Sequence, residues 1–115
     1  KLIRKLIKSE ECTRAILVAH NSSFDQGFLH AACDRSGIKR NPFHPFSTID
    51  TVSLAAIAFG HTVLSESCNR AGLEFDQSKA HQAAYDANRT AALFCKIVNE
   101  SNFEILSEGD AARKD

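Results

Sequence analysis

The sequence predicts an α/β fold that holds only part of its sheet, and three observations carry that reading. Ala15-Ile16-Leu17-Val18-Ala19 is an unbroken apolar run whose length and branched residues suit a strand buried on both faces. The segments around it place apolar residues at helical spacing, most clearly from Ala80 to Asn99. No other segment reads so plainly as a buried strand, yet parallel strands need neighbours on both edges. Further strands are therefore expected before Lys1, in keeping with a chain of 115 residues that contains no methionine. That length suits one small domain or part of a larger one. Residues 1–115 are read as the C-terminal part of a single domain, with a polar tail over 107–115.

The elements follow in order. Lys1 to Cys12 predicts an amphipathic helix, with Leu2, Ile3, Leu6 and Ile7 on one stripe and Lys1, Arg4, Lys5 and Lys8 opposite. After the strand, His20-Asn21-Ser22-Ser23 is polar, and Ser22 or Ser23 is expected to cap a helix from Phe24 to Arg35 that Gly37 stops. Asn41 to Phe46 carries both prolines of the chain and predicts a shaped loop, followed by a short strand over Ser47 to Ile49. Asp50 or Thr51 then caps a helix from Val52 to Phe59, ended by Gly60. A further short helix runs from Leu64 to Ala71, ended by Gly72, and the last helix follows.

Composition narrows the function classes. The hydrophobic fraction is 43% and the charged fraction 24%, ordinary for a globular chain. Fourteen basic residues balance fourteen acidic ones, so a nucleic-acid site would have to come from local clustering of Lys and Arg. The four cysteines, Cys12, Cys33, Cys68 and Cys95, form no C-x-x-C knuckle and read as reduced thiols of a cytoplasmic protein. No segment has the length of a membrane span or the pattern of a secretion signal.

Two acidic positions stand out by placement. Asp25 starts a helix just beyond a buried strand, and open α/β sheets usually bind ligands outside the carboxyl ends of their strands. Asp86 follows His81 by five positions, which on a helix turns the two side chains about 140° apart. They share a cavity only if His81 sits at or before the helix start, which the polar Gln77 to Ala80 allows. A carboxylate beside a histidine suits metal-assisted hydrolysis, with the imidazole taking a proton from water. Singly, each is also a common structural feature: an Asp at a helix start is usually a cap, and a lone His is usually packed or solvated.

The combination is more specific. His20-Asn21-Ser22-Ser23-Phe24-Asp25 resembles the second motif of the DEDDh 3′→5′ exonucleases, and His81-Gln82-Ala83-Ala84-Tyr85-Asp86 resembles their third motif in its histidine form. Arg40 to Phe46 and Leu93 to Asn99 resemble an RNA-trimming branch of the same family, so the likeness runs from about Arg14 to Asn99. The resemblance implies a ribonuclease H-like fold and a 3′→5′ exoribonuclease that trims tRNA and other stable RNAs. It implies two Mg²⁺ ions, or Mn²⁺ in their place, clamping the scissile phosphate. By the same resemblance Asp86 and Asp25 are metal ligands, and His81 is the general base. Phe24 and Phe46 would stack on terminal bases. Arg14, Lys39 and Arg40 would contact phosphates, or RNA held by the partner in a homodimer. Packing remains the alternative for both phenylalanines and is preferred for Phe43; simple solvation remains the alternative for the three cations.

One departure matters. The family's first motif, a strand bearing Asp-x-Glu, has no counterpart here; Glu10 and Glu11 lie on the amphipathic helix instead. The chain is expected to hold half of an active site. An inactive RNA-binding or dimerisation fragment and a DNA-proofreading exonuclease are the alternatives, DNA 3′ ends being the second substrate class.

Overall fold

A computed structural model describes residues 1–101, and the expected tail over 107–115 lies outside them. The elements are α1 (Leu2–Ser9), β1 (Ala15–Ala19), α2 (Ser22–Arg35), β2 (Phe43–Asp50), α3 (Thr51–Phe59), α4 (Leu64–Arg70), a 3₁₀ turn (Gln77–Lys79) and α5 (Ala83–Glu100). The two strands are parallel neighbours, joined by the crossover helix α2. The core lies between α3, α4 and α5, where Ala55, Cys68, Ala71, Leu93 and Ile97 are buried and Leu54, Phe59, Leu64, Leu73 and Phe75 pack around them. Small residues on α3 and α4 let Leu93 of α5 sink completely from solvent between them. Strand β1 lies against α2 on one side and α5 on the other, and so ties the helical core to the sheet.

Several sequence expectations hold. Asp50 caps α3, its carboxylate accepting from the Val52 amide, and Gly60 ends that helix in the left-handed region at φ 70°. Arg70 donates to the carbonyl oxygens of Phe59 and Gly60, satisfying groups freed at the end of α3. Gly72, at φ 77°, follows α4 as predicted.

Others are corrected. Helix α2 starts earlier than expected, and neither Ser22 nor Ser23 caps it: Asn21 is the N-cap, in the left-handed conformation and with no side-chain cap of its own. The second strand spans eight residues rather than Ser47 to Ile49 alone. Between the pairs Ala15–Phe43 and Leu17–Thr48, β2 advances five residues while β1 advances two, so three residues bulge out of the ladder. That bulge accommodates Pro45, which has no amide to donate. Strand β1 is not buried on both faces: Ile16 is exposed and Leu17 and Val18 are half-buried, because β2 is its only partner among the described residues. Helix α1 forms but ends at Ser9 rather than Cys12, leaving Glu10 as its C-cap and Glu11 beyond it, and Leu2, Ile3 and Leu6 of its apolar stripe are exposed. Among the described residues no helix is long and apolar enough to cross a membrane.

Candidate active site

The carboxyl end of β1 opens into a cleft of about 780 Å³. Asp25 and Phe24, from the first turn of α2, line one wall. His81 and Asp86 line the other, with Ala87, Thr90 and Ala91 further along α5. The three polar residues singled out by the sequence therefore face one space, although 56 positions separate Asp25 from His81. Apolar Leu17, Leu64 and Phe94 are among the other lining residues, so the cleft joins polar groups to an apolar surface.

Local structure explains how His81 and Asp86 come together. His81 precedes α5, with Gln82 as the N-cap, so the helical 140° offset does not apply. His81 adopts a left-handed φ of 69°, and its amide donates to Asp86 Oδ1 at 3.3 Å. The approach to it is fixed on α5: Asp76 N–H donates to the Tyr85 hydroxyl oxygen at 2.6 Å, and Arg89 donates to the Glu74 carbonyl at 2.8 Å. Phe75 packs edge-on against the Tyr85 ring, with centroids 5.4 Å apart. Hydrogen bonds from the Ser78 hydroxyl and amide hold the Asp76 carboxyl below its ordinary range and anchor the 3₁₀ turn.

The opposite wall is held from β2. Asp50 Oδ1 accepts from the amides of Asn21 and Val52 at 3.0 and 2.9 Å. Its Oδ2 accepts from the amide and hydroxyl of Ser22 at 3.0 and 3.2 Å. Burial pushes the Asp50 carboxyl up, but these bonds outweigh it and hold the group below its ordinary value. His20 bridges from the same corner, with Nδ1 2.8 Å from the Thr51 hydroxyl and Nε2 2.7 Å from the Thr62 carbonyl. Only a protonated Nε2 can donate to that carbonyl, so the geometry assigns Nε2–H. The sequence singled out Asp50 only as a cap for α3 and gave His20 no separate role. Their shared signal is polarity at the end of a strand.

Phe24 and Phe46 are 67% and 77% exposed, which removes the reading of either as a core residue of this chain. Phe24 meets Phe28 edge-on at 4.8 Å. Phe46 rides on the β2 bulge, where His44 Nδ1 accepts from the Phe46 and Ser47 amides and the His44 ring meets the Phe46 ring at 4.5 Å. Phe46 does not line the cleft, but Gln26 of α2 donates to the adjoining Pro45 carbonyl. Phe43 is half-buried, as expected. Arg14, Lys39 and Arg40 gather in a different cleft, of about 490 Å³, with Arg4 beside them and Asp34 as the acidic member. Arg4 secures that corner by donating to the Arg40 carbonyl.

A hard divalent ion takes carboxylate oxygens that no protein cation neutralises. Asp25 and Asp86 meet that condition: the ion pairs among the described residues, Arg70–Glu66 and Lys96–Glu100, involve neither. Two carboxylates are nevertheless fewer than a two-ion site requires, and no group of three or more His, Cys, Asp or Glu side chains suited to a metal occurs among the described residues. The donors fit Mg²⁺ in kind and make up part of a shell.

A strand-crossover-strand unit whose strand ends face carboxylates and a histidine across a cleft is consistent with part of one class, the ribonuclease H-like exonuclease domain. The exonuclease family profile matches residues 8–94, and the chain belongs to that family. It is similar to the ribonuclease T of Hahella chejuensis, 63% identical over 97 residues that cover 84% of this chain and 44% of the relative. It is likewise similar to the ribonuclease T of Escherichia coli K12, 58% identical over 99 residues, which are 86% of this chain and 46% of the relative. The chain thus spans about half the length of the curated relatives it matches.

Proposed function

We propose that this chain is the C-terminal half of a divalent-metal-dependent 3′→5′ exoribonuclease that trims tRNA and other stable RNAs. The observation that carries the reading is the convergence of Asp25, His81 and Asp86 on one cleft beside an exposed Phe24. Asp25 and Asp86 would hold Mg²⁺, or Mn²⁺, together with the carboxylates of an Asp-x-Glu strand. Such ions, when bound, neutralise charge on the scissile phosphate and activate the attacking water. His81, poised on its left-handed turn at the rim, accepts a proton from that water. Phe24 and Phe46 present faces to unpaired terminal bases, which suits a single-stranded 3′ end. Arg14, Lys39 and Arg40 supply phosphate contacts at a distance from the cut, to RNA on the same subunit or on the partner of a homodimer. The names of the relatives favour RNA over DNA as the substrate. The described thiols are all free, which supports a cytoplasmic setting.

The test joins this chain to an Asp-x-Glu strand and supplies a 3′-tailed RNA with Mg²⁺. Stepwise loss of 3′ nucleotides, abolished by Asp86→Asn, is the expected result; internal cuts, or shortening from the 5′ end, would overturn the reading. A second reading, an RNA-binding module without catalysis, is favoured for the chain by itself because, among the described residues, two carboxylates, Asp25 and Asp86, line the cleft. Retention of RNA without shortening would identify it.

A further inference from the structure

The Asp50 carboxylate joins two helices that the cleft depends on. It accepts four hydrogen bonds: from Val52 at the start of α3, from Asn21, and two from Ser22 at the start of α2. Asn21 is the N-cap of α2, but its backbone is left-handed and its side chain makes no cap bond, so the first amides of the helix look elsewhere for an acceptor. Asn adopts that conformation more readily than other non-glycine residues, so the turn is accessible locally but is not fixed by Asn21 alone. Asp50 provides the constraint by holding both the Asn21 amide and the next one. The Ser22 hydroxyl, 2.8 Å from that of Thr48, links the same turn to β2 a second time. Phe24 and Asp25 follow within the first turn of α2, so their positions depend on where this turn is held.

We propose that Asp50 is a positioning residue for the metal-binding and base-facing wall of the cleft: through the Asn21 and Ser22 amides it sets the start of α2 and thereby the placement of Asp25 and Phe24. The proposal rests on the nuclease reading for what Asp25 does, but not for how Asp50 holds the turn. Asp50 touches neither metal nor substrate; it acts through the backbone of residues 21 and 22.

Two measurements separate the two questions. Amide hydrogen exchange of this chain should quicken at Asn21 and Ser22 by about tenfold in Asp50→Ala, the usual scale of a lost cap, with Asp50→Asn intermediate and Leu93 and Ile97 unchanged. In the enzyme completed by an Asp-x-Glu strand, Asp50→Ala should raise the Mg²⁺ concentration for half-maximal RNA shortening by roughly tenfold, with turnover at saturating Mg²⁺ within about threefold of the original. Asp50→Asn, isosteric and with one acceptor oxygen left, serves if the alanine variant does not fold. Equal loss of protection at Leu93 and Ile97 would make Asp50 a general stabiliser and overturn the proposal. So would unchanged exchange at Asn21 and Ser22, or quicker exchange with an unchanged Mg²⁺ requirement. Failure of the unsubstituted enzyme to shorten RNA would sink the nuclease reading and leave the exchange result to decide how α2 is held.

Discussion

Replacing Phe46 with alanine sets stacking against packing most cleanly. A fully covered Phe buries about 150–250 Å², and Phe46 is 77% exposed, so truncation removes only about 45 Å² of contact. At about 25 cal/mol per Å² that is worth ~1 kcal/mol, against ~3–5 kcal/mol for a core Phe. The melting temperature of the completed enzyme, about twice the length of this chain, should fall by about 2–4 °C. Loss of base stacking should cost ~1–3 kcal/mol, or roughly 5–150-fold in Kd for a single-stranded 3′ end. Phe24, 67% exposed, covers more and also loses its edge contact with Phe28, so its truncation should cost roughly 2–3 kcal/mol of stability besides any effect on binding. The assay pairs thermal melts with fluorescence-anisotropy titration of a short labelled RNA, both on the completed enzyme. A drop for Phe46→Ala that matches a core truncation, with affinity per folded molecule unchanged, would refute the stacking role.

Three further outcomes are expected. The chain by itself should shorten a 3′-labelled RNA poorly in Mg²⁺; robust shortening that Asp86→Asn abolishes would show that two carboxylates suffice. In the completed enzyme His81→Ala should lower turnover by about 10²–10⁴ with RNA affinity nearly constant, whereas a loss confined to binding would make His81 a positioning group. Acid should act through Asp50, whose carboxyl is held below its ordinary value in the fold. Its contribution is complete above the unfolded value and is lost as pH falls through the folded one, so the stability gap between the unsubstituted chain and Asp50→Asn should close below about pH 4. A gap that persists in acid would show that the carboxylate charge does not hold α2.

How much was legible in the sequence depended on the range of the interaction concerned. The Asp50 cap of α3 and the glycine that ends it were readable because both act within a turn of their own helix. The cap of α2 was not, because its acceptor lies 28 and 29 positions away and arrives only when β2 pairs with β1. The start of β2 is hidden for a related reason: Phe43 to Phe46 has proline chemistry and no alternation, and becomes part of a strand only because the ladder tolerates a bulge. Asp25, His81 and Asp86 are legible as motifs, and the polar run Gln77 to Ala80 permits the turn that lifts His81 out of α5. The apolar stripe of α1 was equally plain, but amphipathicity announces that a face is to be covered and does not say by what.

The bulge in β2 has a consequence for how such a nuclease could be remade. On its far side the pairs Leu17–Thr48, Val18–Ile49 and Ala19–Asp50 run in unbroken register, and on its near side Ala15 pairs with Phe43. Residues added to or removed from the segment 44–47 would be absorbed between those fixed pairs rather than passed along the strand. The ring at position 46 could then be raised, lowered or exchanged while the carboxylate at position 50 stays in place. The exposed ring and the carboxylate that holds the start of α2 are thus carried on one strand as separately adjustable parts, so the segment 44–47 can be exchanged without disturbing the turn at Asn21 and Ser22.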